Sequence, residues 1–208
     1  MEHGSFCPLS LPRVLSFDPL LKRLVSNPPV ELRRLRNATL FSLTNVSVPA
    51  GATRELTTAG SAMDLEMTLA LPASSAQPLA FGLEVLAGAA PGGNATTVSL
   101  SISAATDPSG TRNGTLLIVA PRITNTSWDP WGAMESNFTL LKGESVLDLR
   151  VVVDRSIVEV WVGGGRAAIS IRDFPAEGET AARLRHSSGV GALRVERLEG
   201  WGMGCGWQ

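Results

Sequence analysis

The residues whose types and spacing invite chemistry lie in one stretch, LDLRVVVDRSIVEVWVGGGRAAISIRDFP, at 147–175. Asp154 and Glu159 are two carboxylates five positions apart, the raw material of an acid/base pair. Such a pair needs a third group to position it, and no histidine is near in sequence. The competing reading is structural. Asp154-Arg155-Ser156 has the chemistry of a hairpin connection, since an aspartate carboxylate accepts backbone N–H groups in turns. Glu159 shares a strand face with Ile157 and Trp161. A carboxylate on a partly apolar face demands a partner, so Glu159 is expected to bond the turn or to pair with Arg155 or Arg166. The structural reading is favoured. Gly163-Gly164-Gly165 reverses the chain and needs no further role; no Lys-Ser/Thr follows, so it is not a phosphate loop. No metal site and no cofactor are expected.

Other candidates are scattered. Trp128 and Trp131, in the loop WDPWG, are candidates for stacking on sugar rings, although tryptophans more often fill cores. Trp161 and Trp201 fall in predicted strands and suit that role less well. Arg33, Arg34 and Arg36 read most simply as a solvated face rather than a phosphate or carboxylate site. Cys7 and Cys205 are the only cysteines. They are candidates for one bridge closing the chain, but two thiols do not establish an oxidising compartment.

Asparagine usage is more informative. Six of the seven asparagines head Asn-X-Ser/Thr sequons: Asn37, Asn45, Asn94, Asn113, Asn125 and Asn137. With serine and threonine at roughly a sixth of the chain, chance predicts about one. The excess argues for a eukaryotic secretory history, with these sites on exposed turns or outward strand positions. The first ten residues have neither the basic nor the apolar region of a signal peptide. A secretory history without a leader is reconciled if the chain is the C-terminal part of something longer.

The elements that would position these residues are strands. Met63, Leu65, Met67, Leu69 and Leu71 alternate with Asp64, Glu66, Thr68 and Ala70, predicting one buried and one wet face. Val98, Leu100 and Ile102 alternate with serines in the same way. Further strands are predicted over 13–17, 20–25, 40–48, 79–86, 116–119, 135–141, 147–153, 157–162, 167–174 and 190–198. A short helix is predicted over 30–36, entered from proline. The expected fold is all-β, a two-sheet antiparallel sandwich with an N-terminal linker containing one short helix. Residues 1–38 are assigned to the linker and 39–208 to the sandwich. The 18 basic and 19 acidic side chains nearly balance, so neither nucleic acid nor an anionic membrane is an expected partner. No apolar run approaches the roughly 18 residues of a membrane span.

The central stretch also resembles a family. VDRSIVEVW followed by GGGRAAISIRDFP is similar to the signature of the C-terminal β-sandwich of glycoside hydrolase family 32, which contains invertases, fructan hydrolases and fructosyltransferases. Trp161 stands where the family usually has Phe. LPRVLSF at 11–17 and NPPVELRRLR at 27–36 resemble the segment joining the family's catalytic propeller to its sandwich, and LEGWGM at 198–203 resembles its closing strand. The resemblance implies a structural role for Asp154, Arg155, Ser156, Glu159, Gly165 and Arg166. It also implies a five-bladed propeller as partner, with sucrose or fructans reached only through that propeller. A parent enzyme is then expected in the secretory pathway, ending outside the cell, in the cell wall or in the vacuole.

The family's catalysis uses three carboxylates, in Asn-Asp-Pro-Asn-Gly, Arg-Asp-Pro and Glu-Cys motifs of the propeller. None of the three motifs occurs in this chain, so no catalytic residue carries over and the chain is expected to be inactive alone. The alternatives are a free-standing secreted glycan-binding sandwich and a regulatory partner of intact invertases. If residues 11–36 normally pack on a propeller, the isolated chain exposes an apolar patch and is expected to self-associate.

Overall fold

In the computed structural model, residues 10–57, 60–72, 78–90, 92–104, 110–122, 132–188 and 191–204 are described. Twelve strands form two six-stranded antiparallel sheets packed face to face, and two more form a hairpin ahead of them. The hairpin pairs β1 (Val14–Asp18) with β2 (Arg23–Asn27), and its turn is held by the Asp18 carboxylate accepting the N–H groups of Leu20 and Leu21. A 3-10 helix, Val30–Leu35, replaces the expected helix and delivers the chain into β3 (Arg36–Val48).

The first sheet runs β12-β11-β10-β5-β14-β3 and the second β4-β13-β6-β7-β8-β9. In the first, β5 is Ala62–Ala70, β10 Val146–Asp154, β11 Ile157–Val162, β12 Ala167–Arg172 and β14 Leu193–Met203. In the second, β4 is Thr53–Thr57, β6 Leu79–Ala87, β7 Thr96–Ile102, β8 Arg112–Val119, β9 Ala133–Leu140 and β13 Ala181–Ser188.

Period-two alternation sends Leu65, Met67, Leu149, Val151, Val158 and Val160 inward from one sheet. They meet Phe81, Leu83, Leu100, Leu116 and Phe138 from the other in one continuous core. Burying such a side chain stabilises by roughly 1.5–3 kcal/mol, so this interlayer holds the sandwich together.

Two strands escape the sequence pattern. β13 carries Arg183 and His186, both 1% exposed, so its interior reads as polar. β4 is a short, mostly exposed strand at the edge of the second sheet. The outer face of β5 is the larger departure. Asp64 and Glu66, expected to be wet, are 0% and 9% exposed. The linker covers them.

Candidate functional site: an arginine–carboxylate seat for the linker

Register places the outward residues of the first sheet in rows. Glu159 lies opposite Val152, Val152 opposite Asp64 and Asp64 opposite Trp201. In the next row Trp161 faces Arg150, Arg150 faces Glu66 and Glu66 faces Glu199. Three carboxylates, Glu159, Asp64 and Glu66, are thereby buried on what would otherwise be an open sheet surface.

The linker supplies the countercharge. A 3-10 helix has three residues per turn, so side chains at i and i+3 align, and Arg33 and Arg36 converge on Glu66, Arg36 reaching Asp64 as well. Arg36 donates to Asp64 at 2.7 Å and to Glu66 at 2.6 Å. Arg33 donates to Glu66 through Nε at 3.1 Å and Nη2 at 2.9 Å. Arg150 of β10 completes the set with a two-pronged bond to Asp64 at 2.9 and 2.8 Å. The Arg36 guanidinium also lies 3.7 Å from the centre of the Trp201 ring, a cation–π contact. Arg33 and Arg36 are therefore not a solvated face; they are the partners that make buried Asp64 and Glu66 tolerable. Burial works to raise the Glu66 carboxyl, but hydrogen bonds from Arg36 and Arg33, and the charges of both, hold it below the ordinary value.

Glu159 is buried, as its face required, but its partner is not Arg155 or Arg166. It accepts the backbone N–H of Leu11 at 2.5 Å and the hydroxyl of Ser170 at 2.5 Å. Arg13 bonds Ser170 at 2.7 Å and approaches Glu159 to 3.6 Å. Leu11 and Arg13 come from the start of the linker, far from Glu159 in sequence, and Ser170 lies opposite it on the neighbouring strand β12. Asp154 stays exposed at the β10–β11 turn and, among the described residues, makes no side-chain bond, so the two carboxylates are not joined as an acid/base pair. Arg155 occupies the turn with φ of 54° and donates its backbone N–H to Ser61, while the Ser156 carbonyl accepts from Asp173.

The glycine turn does more than reverse the chain. Gly165 has φ of 82°, and a Cβ there would collide with the Ser26 backbone carbonyl of β2. Ser26 donates its N–H to the Gly165 carbonyl at 3.1 Å, and Asn27 donates its side-chain amide to Gly164 at 2.9 Å. The Arg166 carbonyl accepts from the Arg23 guanidinium. Its own side chain forks onto Glu144 at 2.6 and 2.8 Å and comes to 3.8 Å from Asp18 of the hairpin turn. Burial favours the neutral form of Glu144, but the Arg166 hydrogen bond, the Leu141 N–H and the Arg166 charge outweigh burial and the nearby Asp18, so its carboxyl sits low. The Arg166 guanidinium is correspondingly pushed above its usual value, chiefly by its hydrogen bond to Glu144.

The VDRS…GGGR segment is thus a seat. Its Glu159 holds the start of the linker, and its glycines and Arg166 hold the hairpin. What the hairpin presents outward follows from the pairing. Val25 faces the sandwich and is 8% exposed, whereas Leu15, Phe17 and Leu24, on the other face, are 65%, 61% and 67% exposed. Among the described residues, no group of three or more His, Cys, Asp and Glu could hold a metal ion. Among those residues, no helix is long and apolar enough to cross a membrane.

The sequence expectations missed Arg13, Arg36, Asp64 and Glu66, and also a second inter-sheet cluster. There Asp173, fully buried, accepts from Thr96 at 2.5 Å and from Arg122, which also bonds Glu179 at 2.7 Å. The available signal was the pairing of acids two apart on a strand with arginines three apart before it. Asn37, Asn45, Asn94, Asn113 and Asn137 are all exposed, and Trp161 is 2% exposed beneath the linker with Leu32 and Val152. Trp128, Trp131, Asn125, Cys7 and Cys205 lie outside the described residues.

Comparison with known proteins agrees with this architecture. Residues 31–202 match the family model described as the C-terminal region of glycosyl hydrolases family 32. A fructan 6-exohydrolase of Triticum aestivum is 37% identical over 57 residues, covering 26% of this chain and 10% of that protein. Insoluble isoenzyme 5 of beta-fructofuranosidase from Oryza sativa subsp. japonica is 32% identical over 65 residues, 30% of this chain and 12% of that protein. The matched region is thus a small part of each relative.

Among solved structures, fructan 1-exohydrolase IIa of Cichorium intybus superposes with a TM-score of 0.78 at 19% identity, covering 93% of this chain and 40% of that one. Exo-inulinase of Aspergillus awamori gives 0.68 at 21% identity, covering 95% and 36%. At these identities the structures speak for the fold. The family match spans both the linker's 3-10 helix and the sandwich, and on that ground the chain belongs to the C-terminal domain family of glycoside hydrolase family 32.

Proposed function

We propose that this chain serves as the non-catalytic C-terminal sandwich of a family 32 enzyme and docks a catalytic five-bladed propeller on the outward face of its β1–β2 hairpin. One observation carries the reading. The hairpin is fastened to the sandwich on one side through Val25, Ser26 and Asn27, while Leu15, Phe17 and Leu24 stand exposed on the other. An apolar face of this kind, on a rigidly seated element, suits a partner surface.

The chemistry of the chain agrees. Retaining glycosidases place an acid and a nucleophile roughly 5–5.5 Å apart around the scissile bond. Here the buried carboxylates of the seat are engaged by arginines and carry structure instead. The relatives are named as fructan exohydrolases and beta-fructofuranosidases, which supports a parent activity on the fructosyl bond of sucrose or fructans. Five exposed sequons support passage through the secretory pathway.

The test has two arms. The purified chain should show no release of fructose from sucrose or inulin; turnover above background sinks the non-catalytic reading. Mixed with a separately produced family 32 propeller, it should form a 1:1 complex by light scattering, and Leu15→Asp with Phe17→Asp should abolish it. A complex indifferent to both substitutions would place docking elsewhere.

A further inference from the structure

Two of the sequons meet on the wet face of the second sheet. Asn113-Gly114-Thr115 lies on β8 and Asn137-Phe138-Thr139 on β9, and antiparallel register sets Asn113 opposite Thr139 and Thr115 opposite Asn137. Both asparagines are exposed, and with Phe138, Thr139 and Arg23 they line one groove of about 430 Å³. That volume lies within the roughly 300–1,000 Å³ of small-molecule sites and admits a sugar residue. Arg23 belongs to the β1–β2 hairpin, which ends at the seam where the edge strands β12 and β9 meet. Its guanidinium bonds the Arg166 carbonyl, and the Arg166 side chain donates in turn to the Thr139 carbonyl at 3.2 Å.

The two asparagines are not equivalent. Asn137 Oδ1 accepts the Thr115 hydroxyl at 2.9 Å. Linkage to a sugar uses the amide nitrogen and leaves the oxygen an acceptor. The bond to Thr115 therefore survives modification, holds the amide plane and turns the modified nitrogen away from Thr115. The Asn113 side chain has no such tether among the described residues.

The hairpin side of the groove is a cation with bonding capacity left. A guanidinium carries five N–H donors. Among the described residues Arg23 makes one hydrogen bond, to Arg166, and no ion pair. Of its unbonded nitrogens only Nε is shut off from solvent, which leaves Nη1 accessible. An acetamido sugar suits this donor: its amide carbonyl and hydroxyls accept, and it brings no charge of its own to desolvate.

We propose that Asn137 carries an N-linked glycan whose first sugar, an N-acetylhexosamine, lies in this groove against Arg23. The glycan fastens the hairpin to the second sheet, as Ser26 and Asn27 fasten it to the first. Its attachment rests on the secretory reading of the sequons; the seat and the fastening role go beyond that reading.

The chain is secreted from a eukaryotic host with Leu15→Asp and Phe17→Asp, so that hairpin amides report contacts within one molecule. Peptide mass mapping should find Asn137 occupied. A bare Asn137 beside other occupied sequons overturns the seat and spares the secretory reading; if every sequon is bare, both fall. Hydrogen exchange then compares this chain with Thr139→Ala, which destroys the sequon but keeps Asn137 and its bond to Thr115. The β1–β2 amides should exchange about tenfold faster in Thr139→Ala, the weight of one hydrogen bond to a charged group, with β5 and β10 unchanged. Enzymatic removal of the glycans should cause the same loss, and Asn113→Gln should cause none. In an Arg23→Ala background neither Thr139→Ala nor deglycosylation should speed exchange further. Equal hairpin protection with and without the glycan refutes the fastening role. A loss that persists in Arg23→Ala refutes the contact with Arg23, and a loss seen only with Asn113→Gln refutes the assignment to Asn137.

Discussion

Asp64 has no exposed side-chain surface and accepts from both Arg36 and Arg150. Breaking a buried charge set costs about 3–5 kcal/mol when a charge is left uncompensated. Without Arg36, Asp64 keeps Arg150 and Glu66 keeps Arg33, which holds the loss to the low end of that range. Arg36→Ala should therefore lower stability by about 3 kcal/mol in urea unfolding. Arg33→Ala touches the same Glu66 but removes a side chain that is 52% exposed, and its cost should stay within about 1 kcal/mol. Equal losses from the two would contradict the burial argument. Glu66 and Glu144 have folded pKa values below their ordinary 4.5, so the unfolded chain protonates first as pH falls. Their contribution is complete above that ordinary value and is lost as pH drops through the lowered folded values. Stability measured from pH 6 downward should fall in this acid window, and Glu66→Gln with Glu144→Gln should flatten the slope.

At the scale of elements, the β11–β12 turn and the hairpin depend on one another. Gly165→Ala must move the Ser26 carbonyl, whereas Gly164→Ala meets open space and bears only the strain of a left-handed residue, about 1–2 kcal/mol. Hydrogen exchange should show the β1–β2 amides losing protection in Gly165→Ala while β10 and β5 keep theirs. Retained hairpin protection would mean that the glycine is not the contact point. The 3-10 helix also explains why the end of the linker and the sandwich fall within one family match, residues 31–202: the linker's arginines and the sheet's acids are halves of one structure. β5 shows how far sequence reaches at this scale. Its alternation identified the inward Met63, Leu65 and Met67 correctly, yet assigned Asp64 and Glu66 to water, because periodicity reports which residues share a face and not what lies on that face. Arg183 and His186 hid β13 for a related reason, their burial resting on contacts with distant segments such as Gly88 and Val48.

At the scale of the whole molecule, the two sheets bury their inner faces in one another, and five of the eight exposed large apolar residues among those described gather at the hairpin: Val14, Leu15, Phe17, Leu20 and Leu24. Without a partner on that face the chain should self-associate, giving a mass above 21.9 kDa by light scattering. Leu15→Asp with Phe17→Asp should return it to a monomer. Expressed through a eukaryotic secretory route, it should carry N-glycans on the exposed Asn37, Asn45, Asn94, Asn113 or Asn137. The check is a mass loss on enzymatic deglycosylation, and an unchanged mass would count against a secretory history.

The amino-acid sequence alone determined the all-β sandwich, since alternation and turn chemistry are local, and it determined the family, since VDRSIVEVW and the glycine turn are contiguous. It also excluded the family's catalytic motifs. The partners of Glu159, Asp64 and Glu66 were decided only by the tertiary structure. Leu11 and Arg13 reach Glu159 from the far end of the chain, and Arg36 meets Asp64 only because β5 lies beneath the incoming linker. Charge pairing across such separations depends on how strands are ordered in the sheet and on which segment is laid over it, and neither is written in the spacing of any one stretch.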